Sequence, residues 1–208
     1  LSRGFGEGIG VASAGFLPCE FPLRLNQPPL PVLATITRAI HQKRAVRLTY
    51  HSLKKGPAKR EIVPFALVDS GLRWHARAYD RARHEFRDLV ITRMDKPELL
   101  DAEEIPTHEQ IDHDHQWTRI VNLELVPHPA QPRPEIVARD FDIKDGVLSL
   151  QVRAAIAGYV LQQWNVDCSP DHHLDPTSYR LWLRDPLVLY GVDNAVLAPG
   201  YQKPLRAK

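Results

Sequence analysis

The chain has 208 residues, 43% of them hydrophobic and 25% charged, with a net charge of +2. That length holds one large domain or two small ones with an ample core, and the composition is that of an ordinary globular protein. No apolar run approaches the roughly 18 residues a membrane span needs, no stretch reads as a secretory signal, and the two cysteines, Cys19 and Cys168, form no disulfide framework or metal spacing.

The charge is unevenly placed. From Arg38 to Arg93 there are 14 Lys and Arg against 5 Asp and Glu, a local balance of +9 that leaves −7 for the rest of the chain. A basic module joined to an acidic one favours phosphate-bearing partners for the first and disfavours them for the second. Simple drift of surface charge along the sequence would give the same count.

Residues 1–30 carry Gly4, Gly6, Gly8, Gly10 and Gly15, then Pro18, Pro22, Pro28 and Pro29, and read as a linker or extended arm. From Pro31 the spacing Leu33, Ile36, Ile40 predicts a helix with one apolar face, ending near Lys43 and Arg44, where cations suit the helix dipole. Strands follow at Ala45–Ser52 and Arg60–Val68, separated by the turn at 53–59. After the Asp69-Ser70-Gly71 turn come Leu72–Tyr79 and Glu85–Met94, joined by the turn Arg81–His84, and Thr92–Leu100 supplies a fifth strand. Five short antiparallel strands behind one helix predict an SH3- or Sm-like barrel over 31–101, in a fold that is mainly β and α+β.

Residues 102–116 are polar, acidic and without apolar period, as a linker between domains would be. His108, His113, Asp114 and His115 fall there; imidazoles with a carboxylate can hold zinc, but no regular element frames them and the expectation is no metal. A second, α+β domain is predicted over 117–198, with a short tail at 199–208. Val121, Leu123 and Leu125 alternate as a strand, and Pro134–Asp140 is a helix with proline at its start. Gly146–Arg153 reads as a strand and Ala154–Trp164 as a helix. Tyr179–Leu183 and Leu187–Tyr190 would complete the sheet. Leu161, Trp164 and Trp182 are the apolar residues expected to serve a two-fold dimer contact.

Alternation along the third and fourth strands sets Trp74, Ala76 and Ala78 apart from His75, Arg77 and Tyr79, and Arg87 and Arg93 apart from Phe86 and Asp88. The expectation is one hydrophobic side and one side carrying His75, Arg77, Arg87 and Arg93, like charges that an anion among them would relieve. An ordinary solvated strand face would show the same alternation. Trp74 and Phe86 are expected in the core. The chain has no Gly-rich phosphate loop, no Gly-x-Ser-x-Gly elbow and no HExxH, and nothing beside His75 and Asp88 supplies a nucleophile or a metal set, so no enzyme is expected.

The segments TYHSL (49–53), REIVPFALV (60–68), RWHARAYD (73–80) and FRDLVITRM (86–94) resemble, in order and spacing, the WYL domain, with Trp74-His75-Ala76 where the family carries its naming Trp-Tyr-Leu. The form is similar to the subgroup encoded beside phage-defence systems (BREX- and CBASS-associated, BrxR/CapW-like). The run from Trp117 and the run VLSLQVRAAIAGYVLQQW resemble the C-terminal extension of those regulators, so the resemblance covers about residues 31–198. It implies a transcriptional regulator, of repressor type, whose WYL barrel senses a nucleotide or oligonucleotide and whose extension makes a homodimer in the cytoplasm. It also implies a ligand set of Tyr50, Ser52, His75, Arg77, Arg87 and Arg93. Arg pairs would hold phosphate bidentately, Tyr50 would stack on a base, and Ser52 and His75 would add directed hydrogen bonds. Parity with Val46 and Leu48 makes Tyr50 equally readable as a core aromatic. The family's N-terminal winged helix-turn-helix has no counterpart among residues 1–30, so duplex DNA is expected to be gripped only through an upstream domain. The other readings are a stand-alone module that binds single-stranded nucleic acid and, after it, a phosphodiester-processing enzyme. No cofactor is expected.

Overall fold

The computed structural model describes residues 27–203. Nearly all of the expected arm and the end of the expected tail lie outside the described residues. Helix α1 spans Leu30–Gln42, starts on Pro31, and buries Val32, Ile36 and Ala39. It stops where Lys43 turns left-handed (φ 52°), and the Lys43 and Arg44 N–H groups return to the carbonyls of Ile40 and Ala39.

The first sheet comprises β1 (Val46–Ser52), β2 (Gly56–Asp69), β3 (Trp74–Asp80), β4 (Glu85–Val90) and β5 (Met94–Leu99), in the antiparallel order β4-β3-β2-β1-β5. It is not closed into a barrel: β4 and β5 are its two edges. Instead of running on as strand, Ile91–Arg93 forms a 3-10 turn that carries the chain from one edge to the other. β2 begins earlier than expected because Ser52 Oγ accepts the N–H groups of Lys54 and Lys55, shrinking the turn to three residues. Helix α1 packs on β2 and β5, over a core that includes Val46, Leu48, Ile62, Ala76, Ala78 and Ile91. The β2–β3 register shifts between Pro64 and Ala66, leaving Phe65 as the extra residue of a bulge beside a proline that has no N–H to offer the ladder.

The β3–β4 register corrects the expected single basic face. Asp88 pairs with Arg77, and Arg87 pairs with Ala78. Directly opposed residues share a side of an antiparallel ladder, so Arg87 emerges on the side opposite Arg77.

The second sheet has the order β7-β6-β9-β8, built from β6 (Ile120–Pro127), β7 (Leu148–Arg153), β8 (Val166–Asp167) and β9 (Leu181–Leu183), with only β8 and β9 parallel. Helices α2 (His115–Thr118), α3 (Pro134–Asp140) and α4 (Ala154–Gln163) accompany it. The expected strand at Leu187–Tyr190 is instead a 3-10 turn, Pro186–Leu189, because the Asp185 side chain caps it at the Leu187 N–H. Leu123, Leu125, Leu161, Val166, Leu181, Leu183 and Leu189 are fully buried in one core. Leu161 is therefore core and not dimer surface; Trp182 is half-buried with Nε1 donating to the Ser169 carbonyl, and Trp164 remains exposed. Behind this core Asp167, fully buried, accepts from Ser169 N and Oγ, Leu174 N and His128 Nε2. His128 Nδ1 accepts from the Ala130 N–H, which fixes the proton on Nε2.

The stretch between the sheets is held at two carboxylates. Glu109 takes a forked set of hydrogen bonds from Arg81 (2.8–3.0 Å), and Asp114 takes Arg77. Trp117 continues the contact, edge-on to Phe65 at 5.6 Å and under the Arg153 guanidinium at 4.8 Å.

Candidate functional site

β3 is the central feature of the site. A middle strand with one solvated face would alternate buried and exposed residues, yet six of the seven β3 residues are buried. Ala76 and Ala78 are covered by α1 and its core, while His75 and Arg77 are covered from the other side by the second domain.

Arg77 Nε and Nη2 meet the two oxygens of Asp114 at 2.7 and 2.9 Å, and Nη1 reaches Asp88 Oδ1 at 3.3 Å. Asp114 also caps α2, accepting the N–H groups of Gln116 and Trp117. Burial works against the Arg77 charge, and Asp114 and Asp88 outweigh it, so its pKa is raised. Arg77, expected among the anion contacts, is already committed to carboxylates inside the protein.

Asp88 Oδ2 accepts the Tyr159 hydroxyl at 3.0 Å. Burial, and then the Asp88 charge, push the Tyr159 pKa up, which keeps it a proton donor. The Tyr159 ring stacks on His75, centroids 5.2 Å apart and 30° between planes. His75 is 7% exposed, and its Nδ1 is buried with no hydrogen-bond partner among the described residues. Burial lowers the His75 pKa against the opposing pull of Asp88, which favours the neutral imidazole.

Next to this stack opens a cleft of about 520 Å³. Five of the six expected residues line it: Tyr50, Ser52, His75, Arg87 and Arg93. Tyr50 is a core ring at a strand end whose hydroxyl accepts the Val90 N–H at 3.3 Å, so its base-stacking face is largely covered. Ser52 holds the adjacent turn. Arg87 pairs with exposed Glu85 at 2.8 Å, and Arg93 forms no ion pair with any described residue. Lys54 and Arg73 add two cations outside the expected set: Lys54 lies in the β1–β2 turn, and Arg73, although it shares the parity of His75 and Arg77, stands just before β3 begins. Asp88 is the one carboxylate among the described lining residues.

Tyr159 and Gln162 on α4, with Leu197 beyond it, form the opposite wall. No local signal in the sequence marks them: a tyrosine on an amphipathic helix reads the same whether it faces water or another domain. His108, His113 and His115 do not gather with Asp114 into a metal site; among the described residues no three His, Cys, Asp or Glu are so placed.

An open five-stranded sheet behind one helix, joined to a small α+β domain across a basic cleft, agrees with the domain matches. Residues 31–99 match the WYL domain, and residues 120–189 match the C-terminal dimerization domain of the BrxR transcriptional regulator. The chain belongs to the WYL-domain family, in the form that continues into a BrxR-type dimerization domain. Its relatives include the DNA-binding transcriptional repressor CapW of Stenotrophomonas maltophilia, 37% identical over 139 residues (65% of this chain and 45% of that protein). The repressor of the same name from Pseudomonas aeruginosa is 31% identical over 166 residues (78% and 53%), and that of Escherichia coli 29% over 175 residues (82% and 56%). The chain thus spans about half the length of the curated relatives it matches. These relatives are named as repressors and not as enzymes.

Proposed function

We propose that this chain is the effector-sensing and dimerizing portion of a bacterial transcriptional regulator, acting as a homodimer in the cytoplasm and, like its named relatives, as a repressor. The effector in this reading is a nucleotide or short oligonucleotide carrying phosphate. The observation that carries it is the cleft, where Lys54, Arg73, Arg87 and Arg93 surround a single, already engaged carboxylate beside a buried imidazole nitrogen that lacks a partner. Arg87 is paired with Glu85, but Lys54, Arg73 and Arg93 form no ion pair with any described residue, and cations left without internal counter-charge gain most from a ligand that supplies one. Contact with duplex DNA is assigned to a part of the regulator other than this cleft.

Calorimetry with inorganic phosphate, pyrophosphate, AMP and a 5′-phosphorylated dinucleotide tests the reading. Binding is expected to strengthen from phosphate to dinucleotide, and Arg93→Ala should weaken it about tenfold or more, the loss of one charge-assisted contact. Absence of binding by all four probes would overturn it. Affinity that rises steadily with oligonucleotide length, with no dinucleotide optimum, would favour a module gripping single-stranded nucleic acid.

A further inference from the structure

We infer that the cleft is a two-domain site in which Tyr159 of α4 is a ligand-contact residue, its present partner Asp88 giving way to the incoming anion. This rests on the effector reading above and adds how occupancy reaches the dimerization domain, since α4 lies within the matched region 120–189.

Three features support it. First, Asp88 is replaceable where it stands. Its contact with Arg77 is the long one, 3.3 Å, while Arg77 keeps Asp114 at 2.7 and 2.9 Å whatever Asp88 does. An anion placed among Arg73, Arg87 and Arg93 sets a like charge against Asp88 in a partly desolvated site, where repulsion is felt strongly. Second, Tyr159 can exchange one anionic acceptor for another with no change of protonation, because a phosphate oxygen takes the same hydroxyl proton that Asp88 Oδ2 takes now. Third, the ring of Tyr159 lies on His75, whose Nδ1 is buried and unpartnered. Buried polar atoms are rarely left so. A ligand in the cleft reaches the hydroxyl of one domain and the imidazole of the other together.

Helix α4 is also seated to report the exchange. Gly71, in the β2–β3 turn at φ +86°, lies directly against the end of the Gln163 side chain, to whose Cδ a Cβ there would come within 2.8 Å. The far end of the same helix therefore rests on the first domain next to the cleft. Releasing the Tyr159–Asp88 bond leaves α4 hinged on that contact and on Gly158 against Asn194.

The test uses the 208-residue chain with pyrophosphate and the 5′-phosphorylated dinucleotide, read by calorimetry and by hydrogen exchange over 154–163. Tyr159→Phe keeps the ring on His75 and removes the hydroxyl. It should weaken both probes about tenfold and abolish the probe-induced change in α4 exchange. Asp88→Asn removes the competing charge and should tighten both probes several-fold, a gain that a merely structural role for Asp88 would not produce. Wild-type affinity and wild-type exchange change in Tyr159→Phe would overturn the inference, as would weakened binding in Asp88→Asn. If Arg93→Ala loses binding while Tyr159→Phe keeps it, the effector site stands and the inference falls. If the wild type binds neither probe, both fall.

Discussion

Arg77 and Arg87 stand on adjacent strands of one hairpin and look interchangeable in sequence, yet the fold treats them oppositely. Arg77 is 4% exposed, forked onto Asp114 and touching Asp88; the Arg87 side chain is 43% exposed and meets only a surface glutamate. The register contributes to this: Arg77 pairs with Asp88 in the middle of the sheet and is covered by the second domain, whereas Arg87, paired with Ala78 on an edge strand, reaches only the rim of the cleft between the domains. A buried guanidinium that has found its carboxylates is part of the architecture. One left at a cleft mouth is available to a ligand. Counting arginines on a strand cannot separate the two, since the separating residue, Asp114, is 37 positions away.

That contrast can be broken most severely at Arg77. Replacing it with Ala strands Asp114 without its partner, and loss of one member of a buried pair costs about 3–5 kcal/mol. Urea unfolding of Arg77→Ala should show a loss of this size, whereas Arg87→Ala should unfold within about 0.5 kcal/mol of wild type. A small effect at Arg77 would mean that the two arginines are alike after all.

The seating of α4 within the second domain is expected to be less sensitive at Gly158, where a Cβ would approach the Asn194 carbonyl oxygen to 2.1 Å, a backbone atom that cannot swing aside. Asn194 also threads its amide into α4, accepting from Gly158 N and donating to the Ala155 carbonyl. Gly158→Ala should cost about 1–3 kcal/mol as an overpacking change, seen in the same unfolding curves, and should shift Tyr159 relative to Asp88.

A smaller effect attaches to His75. Burial holds its folded pKa below the ordinary value of 6.5, so the unfolded chain binds this proton more readily than the folded one. Stability contributed by this site is therefore level above the unfolded pKa and declines as pH falls through it toward the depressed folded value. Melting curves from pH 8 to pH 5 should show that decline in the wild type and a shallower one in His75→Gln. The smallest change belongs to Arg83→Ala in the exposed β3–β4 turn, which should leave both stability and probe binding unaltered.

Much of the first domain was legible because its signals are local. The α1 stripe, the Asp69-Ser70-Gly71 turn and the alternation along β1 each follow from a few neighbouring residues. Closure of the barrel was not legible, since it depends on whether two distant edges meet, and the 3-10 turn at Ile91–Arg93 keeps them apart. Five of the six proposed ligand residues do line one cleft, while its second wall, Tyr159 and Gln162, comes from a helix whose orientation is set by docking and by no nearby residue. The Pro186–Leu189 turn carried a readable signal, Asp185 before Pro186, that the apolar run Leu187–Tyr190 outweighed.

Asp114 bears on where such proteins can be recombined. It falls in a polar stretch that a designer would choose as a crossover point for chimeras, yet four hydrogen bonds fasten its carboxylate to β3 and α2 at once. A crossover before 114 would set a foreign residue against Arg77, whereas one after Thr118 would carry the pair across intact. The stretch behaves as a splint, and exchangeable modules in this family are to be cut beyond it.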